Sequence, residues 1–415
     1  MQSFSRITPS TNDPAVPPRM LGSNQIGMRE FNERVVLHAI RLHGSLPKAE
    51  LSRLTQLSSQ TVSVIINRLL DEGFVVKRDS LRGRVGQPSQ PIALNPEGAF
   101  SIGVQIGRRN LDVALIDFTG APRYSKSIVY GVPSVEAVFG EIGEHLERIE
   151  ELLGGERARR VSGIGLAAPL TFGGWRELVG LSPQDADAWT RTNMRERLQR
   201  MTPLPVEFAK DTTAACVAEL VAGRGRHLKC YLYVFVDTLI GGGLVINGQP
   251  HAGLYGNAGA VGSMPLGVAD GARPGGGQQL LAAASLATLE DMFAAAGLDN
   301  LTAGDPRLLA APWLPVTRRW LGEAAAAIAF SVATSACLLD LEAVIVDGAL
   351  GSPLLAALVD AVRTALGHYS WQGIMRPEIV AGAIGRDAKV IGAAYLPLHA
   401  NFAPGHESFL KSSRG

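Results

Sequence analysis

Residues 58–70 read SSQTVSVIINRLL, and what surrounds them decides which fold opens this 415-residue chain. Val62, Ile65, Ile66 and Leu69 recur at i, i+3, i+4, i+7, the spacing that lines one buried helix face. The opposite face carries Ser59, Gln60, Ser63 and Asn67, with Arg68 beside it, and Thr61 joins them at the helix start. Upstream lie two further helix patterns, VVLHAIRLHG at 35–44 and KAELSRLTQLS at 48–58. Downstream, residues 73–94 read GFVVKRDSLRGRVGQPSQPIAL, a strand, a basic glycine-containing turn and a second strand. Helix, helix, tight turn, helix, hairpin is the order of a winged helix-turn-helix.

An amphipathic helix with a polar face is more often a solvated surface helix than a DNA reader. Its context favours the second reading. Ser58 suits the N-cap of the third helix, Pro47 suits the first turn of the second, and Gly73 suits the end of the third. Residues 77–90 hold Lys77, Arg78, Arg82 and Arg84 against the single acid Asp79, and the tip carries Gly86 and Gln87. A basic wing follows phosphates or enters a minor groove. Short polar side chains on the third helix reach base edges in a major groove. The expected DNA contacts are therefore Ser59, Gln60, Thr61, Ser63, Asn67 and Arg68, with Arg82, Arg84, Gly86 and Gln87 on the wing.

Composition sets wider bounds. Hydrophobic residues make up 46% of the chain, enough for sizeable cores, and its length suits two or three domains. The net charge is +1, but residues 21–95 hold ten Lys and Arg against six Asp and Glu, which leaves −3 on the remainder. A basic head on a mildly acidic body fits one nucleic-acid module on a larger domain. Cys216, Cys230 and Cys337 are scattered, without metal-ligand spacing, and read as core thiols of a reducing compartment. No leader pattern is seen at the N-terminus and no uninterrupted apolar run of about 18 residues. The Ala-rich stretch at 324–338 reads as a buried helix, and the expected location is cytoplasmic, away from membranes.

Along the chain, residues 1–24 read as a disordered arm, 25–95 as the winged module and 96–415 as the body. The body opens with strand patterns at 100–107, 110–117 and 127–130, a helix near 134–153 and a strand at 161–167. Strands at 231–237 and 242–248 restart the theme, followed by a helix at about 321–339, strands at 343–348 and 378–381, and a closing helix from about 386. Two halves that each open on antiparallel strands imply an α/β body of two lobes with a cleft between them.

The block at 240–267, IGGGLVINGQPHAGLYGNAGAVGSMPLG, is the most specific segment of the body. Asn247-Gly248 turns a hairpin, and Gly253, Gly256, Gly259 and Gly262 follow in order. With Trp189, Asp211, Gly348-Ala349-Leu350 and the AGAIG at 381–385, it resembles the ROK family of repressors and sugar kinases over about residues 25–400. The resemblance implies a winged helix-turn-helix joined to an actin-like, two-lobed α/β body. In family kinases the position of Asp211 is the catalytic base.

The departures from the kinase pattern carry the functional argument. Where kinases hold an acid and a Gly-Gly-Thr turn for magnesium and phosphate, this chain has Gln105, Gly107, Arg108 and Arg109. Where a second phosphate loop reads Gly-Thr-Gly-Ile-Gly-Gly, it has Asp237, Thr238, Leu239, Ile240, Gly241 and Gly242. A phosphate cradle needs bare backbone N–H groups at close approach, so a carboxylate at 237 and a leucine at 239 oppose it. The Glu-x-Gly-His of the family's sugar and zinc site is Ala260, Val261, Gly262 and Ser263, and the zinc loop is a cysteine-free glycine run at 271–277. Lys210 and Thr213 stand where two family asparagines flank the aspartate. Asp211 therefore reads three ways: residual base, ligand contact, or structural residue paired with Lys210.

These readings predict a regulator, expected to be a repressor, that binds duplex DNA at a palindromic operator as a homodimer or dimer of dimers. Its body is expected to be non-catalytic, without cofactor or metal, and to sense a sugar-like effector through Lys210, Asp211, Ala260 and Ser263. The rivals are a sugar kinase with an added DNA-binding domain and a regulator whose body serves only to dimerise.

Overall fold

The computed structural model describes residues 25–79, 90–131, 134–170, 181–267 and 278–404. They fall into two compact units, one holding the described residues up to Leu94 and from Phe402, the other spanning Asn95–Asn401.

The first unit contains α1 (Gln25–His43), β1 (Ser45–Leu46), α2 (Lys48–Thr55), α3 (Ser59–Asp71), β2 (Val75–Lys77) and β3 (Ile92–Leu94). Val62, Ile65, Ile66 and Leu69 of α3 are buried with Val36 and Ile40 of α1 and Leu51 of α2. The Ser58 hydroxyl accepts the Thr61 N–H at 3.1 Å and caps α3. Gly73, at φ 77°, breaks the helix and turns the chain into β2. Pro47 is the N-cap of α2 rather than a residue of its first turn. The sheet runs β1-β3-β2, antiparallel throughout. The two-residue β1 is too short to leave a signature of alternation. The arm at 1–24 and the wing residues Arg82, Arg84, Gly86 and Gln87 lie outside the described residues.

The body begins with β4 (Phe100–Ile106), β5 (Asn110–Asp117), β6 (Pro122–Val129), α4 (Val135–Ala158), β7 (Val161–Ala168), α5 (Pro183–Arg191), α6 (Met194–Gln199), β8 (Val206–Lys210) and α7 (Asp211–Ala222). Its second half holds β9 (Tyr231–Val236), β10 (Gly241–Ile246), β11 (Gln249–Pro250), α8 (Leu280–Ala284), α9 (Leu286–Ala295), α10 (Leu314–Leu339), β12 (Ala343–Gly348), α11 (Ser352–Leu366), β13 (Glu378–Ala381) and α12 (Ala388–Phe402). The sheets run β6-β5-β4-β7-β8 and β11-β10-β9-β12-β13. Each half has three antiparallel strands followed by two parallel ones in the same spatial order.

Several elements differ from the sequence reading. β6 begins five residues before the expected 127, because Arg123, Ser125 and Lys126 are exposed on an edge strand that needs no apolar alternation. α4 runs on past 153 through a kink at Gly154, whose φ of 70° is open to glycine. α10 starts at Leu314, with a proline in its first turn where no N–H is required. α10 is also the one helix among the described residues long and apolar enough to cross a membrane. Its Trp320, Ile328 and Val332 are nevertheless buried in the core of the second lobe.

Glycine sets how closely α12 seats. A Cβ on Gly165 of β7 falls 1.8 Å from the Ala393 carbonyl oxygen, and one on Gly392 falls 1.7 Å from that of Ala214 in α7. Only hydrogen fits at either place. α12 is thereby held against both the first sheet and α7, with Lys389 near its start.

Candidate functional site

In an open parallel sheet, loops beyond the carboxyl ends of the strands form the ligand crevice. Arg108 follows β4, Lys210 ends β8, Asp211 opens α7, and Asp237 follows β9. α12 adds Lys389 from the other end of the chain. Its Nζ lies 3.1 Å from Asp211 Oδ2 and 2.6 Å from Asp237 Oδ2. The Lys389 ammonium also sits 5.2 Å from the centre of the Phe235 ring.

The charges balance internally. Burial alone raises the Asp211 carboxyl, but Lys389 and Arg108 outweigh it and hold it below the ordinary aspartate range. Asp237 is held low by the same opposition, burial against Lys389. Burial works against the Lys389 charge too, yet the two aspartates more than offset it and keep its pKa raised. Burial lowers the Arg108 pKa, against the pull of both aspartates. Asp211 is therefore a lysine-bound carboxylate, a poor proton acceptor.

Two backbone donors of the second loop are also taken. Asp237 Oδ1 accepts the Thr238 N–H at 2.7 Å, and Ser285 Oγ accepts that of Ile240 at 3.0 Å. The first N–H groups of α9, on Leu286 and Ala287, go to the carbonyls of Asp237 and Thr238. Two N–H groups of a helix N-terminus, a feature that holds phosphate elsewhere, are here taken by the chain itself. Leu239 is buried. In the first hairpin, Gln105 is buried, and its amide, oriented to satisfy both partners, donates to Asp112 at 2.8 Å and accepts from the Gly107 N–H at 3.1 Å. Arg109 reaches over to α9 and forms a paired contact with Glu290 at 3.2 and 3.3 Å.

Lys210 does not pair with Asp211 by a direct hydrogen bond; its Nζ donates to Asn257 Oδ1 at 3.2 Å, which ties β8 to the glycine-rich segment. In that segment Asn247 and Gly248, at φ 53° and 69°, make the tight turn between β10 and β11. Gly262 packs a notional Cβ 2.3 Å from the Ile240 carbonyl oxygen. Ala260 precedes the short helical turn Val261–Ser263, and the Ser263 side chain is exposed. Thr213 is buried, and its hydroxyl has no hydrogen-bond partner among the described residues. Among the described residues no group of three or more His, Cys, Asp or Glu is placed to hold a metal; the glycine run at 271–277 lies outside them.

The sequence reading missed Lys389, Glu219 and Asp347. Glu219 is fully buried and accepts N–H groups of Arg224, Ala383 and Ile384 at 2.7, 2.6 and 2.9 Å, joining α7 to the loop after β13. Asp347 accepts the Tyr233 hydroxyl at 3.0 Å and the Gly385 N–H at 3.1 Å. Burial pushes both carboxyls up.

On α3, Ser59, Gln60 and Asn67 are exposed, whereas Thr61, Ser63 and Arg68 are half-buried. Thr61 Oγ1 lies 2.8 Å from the capping Ser58 hydroxyl. Asn67 accepts from Lys48 Nζ at 3.2 Å. Arg68 is engaged by Glu33 at 3.1 Å and Glu72 at 2.8 Å, so its guanidinium braces α3 against α1. Lys48, which donates to Asn67, and Val64, 66% exposed, were not among the expected contacts.

A winged helix-turn-helix followed by a duplicated, actin-like sugar-kinase fold defines the class of protein. A ROK family model matches residues 101–400 and a MarR family model residues 31–84. The chain belongs to the ROK family. It is 24% identical over 253 residues to a putative xylose repressor of Caldicellulosiruptor sp. (strain Rt8B.4), covering 59% of this chain and 60% of that protein. It is 34% identical over 197 residues to the bifunctional enzyme NanE/NanK of Brucella melitensis biotype 1, covering 46% of this chain and 35% of that one. The crystal structure of a ROK family transcriptional regulator, a homolog of the E. coli MLC protein, aligns with TM-score 0.68 at 19% identity, over 91% of this chain and 98% of that one.

Proposed function

We propose that this chain is a DNA-binding transcriptional regulator, a repressor that acts in the cytoplasm as a homodimer or dimer of dimers on a palindromic operator. The observation that carries the reading is α3: a capped helix with one fully apolar face in the core and an exposed stripe through Gln60 and Asn67. A helix of that kind between a short turn and a wing is a major-groove reader. The MarR match over 31–84 and the repressor and regulator among similar proteins support it.

The body is proposed to be non-catalytic. Transfer of a phosphoryl group needs phosphate donors, a metal and a free base. Here the loop N–H groups at 238 and 240 are taken, and Lys389 occupies the aspartate that serves kinases as base. The cleft around Lys210, Asp211, Ala260 and Ser263 is proposed to receive a sugar-like effector, which regulates by binding one lobe arrangement better than another.

The test pairs two assays on the full chain. Selection from a random duplex pool should enrich one palindromic sequence, and deletion of residues 1–95 should abolish its binding. An ATP-coupled assay over a sugar panel should show no turnover. Phosphoryl transfer by a chain that enriches no duplex would reverse the assignment to the kinase with an added domain.

A further inference from the structure

The stripe that α3 turns to solvent is not wholly polar. Val62, Ile65, Ile66 and Leu69 define the core side, and the residues farthest from it at 100° per residue are Gln60 and Asp71, followed by Val64 and Asn67. Val64 is 66% exposed, an apolar side chain set between two amides at i−4 and i+3. Met28, Arg29 and Asn32 of α1 flank it with Gln60 and Thr61 in a shallow groove. A lone exposed valine is ordinary on a protein surface. At the centre of a recognition stripe it is the one side chain unable to hydrogen-bond a base edge or a phosphate. In the major groove the apolar feature a base pair presents is the thymine 5-methyl group. The flanking Gln60 and Asn67 amides match the donor and acceptor pair of adenine on the same groove edge.

Resting on the DNA-binding reading above, we propose that Val64 is a specificity-determining residue that packs on the 5-methyl group of a thymine in each operator half-site.

The probe is the duplex that the full chain enriches from a random pool, with each thymine replaced singly by uracil, which removes the methyl group alone. Loss of one buried methyl should weaken binding about fourfold at one thymine per half-site. In Val64→Ala and Val64→Asn that uracil effect should vanish, while both variants, altered at an exposed position, keep the wild-type melting curve. A duplex that enriches but shows no methyl-dependent thymine overturns the assignment of Val64 and leaves the DNA-binding reading standing. So does a thymine whose methyl dependence persists in both variants. Failure of the chain to enrich any duplex overturns the DNA-binding reading and this inference with it.

Discussion

At the scale of single residues, Lys389 sets the charge around Asp211 and Asp237. Asp211 and Asp237 are identifiable in the sequence because each stands at a known position of a recognisable loop. Lys389 is not, because it belongs to a helix start far along the chain and acquires meaning only when Gly165 and Gly392 let α12 seat against α7. Its removal gives a prediction with a definite sign. In the native protein both aspartates are held low, so their contribution to stability is present at neutral pH and lost as pH falls through their depressed pKa values. In Lys389→Met the two buried carboxylates face each other with Arg108 and Lys210 as the remaining nearby cations, and their pKa values rise. The linked stability is then present at low pH and lost as pH climbs from about 4 towards 8. Denaturant unfolding should show the cluster's contribution flat over that window in the native chain, lost only below about pH 4, and falling with pH in the variant. The loss at pH 7 should be about 3–5 kcal/mol, the cost of unpairing buried charge. Asp211→Asn, which leaves Lys389 its shorter contact to Asp237, should cost less, about 1–3 kcal/mol, and leave DNA affinity unchanged. A variant Lys389→Met whose stability stays flat with pH over that window would mean that the cluster is solvated and the aspartates need no partner.

At the scale of elements, legibility followed the strength of periodicity. α3 was readable in full, with its cap at Ser58 and its stop at Gly73, because one face is entirely core. The same pattern offers Arg68 as a DNA contact, and the structure adds that its guanidinium pairs with Glu33 and Glu72. The turn at Asn247-Gly248 was readable because its positive φ values admit few residues. β8, α7 and α11 were not, because short or evenly buried segments carry no period; the first nine residues of α7, from Asp211, are all buried. The glycines supply the element-scale prediction. Gly392→Ala should destabilise the body by about 1–3 kcal/mol or prevent folding, since a methyl there overlaps the Ala214 carbonyl. Gly322→Ala, exposed on α10 with nothing within 4 Å, should stabilise by about 0.5–1 kcal/mol through helix propensity. Thermal melts of the two variants should move in opposite directions. Equal shifts would show that α12 has room to move and that the placement of Lys389 is not fixed by close packing.

At the scale of the whole molecule, a basic head is joined to a body in which a buried lysine holds the aspartate at the kinase base position. The excess of four positive charges over residues 21–95 and the −3 on the rest make the two parts electrostatically distinct. The duplicated strand order identifies the body as a kinase-type fold, but the fold alone says nothing of catalysis. We propose a non-catalytic body because the N–H groups at 238 and 240 are taken and a lysine sits on Asp211. The central claim is sequence-specific DNA binding, and the most direct measurement is the affinity of the full chain for its selected duplex and for a scrambled duplex of the same length, as salt is raised. The account predicts a preference of at least about a thousandfold for the selected site, with affinity for both falling steeply and log-linearly with salt as phosphate contacts release counterions. Equal affinity for the two duplexes, at every salt concentration, would contradict it.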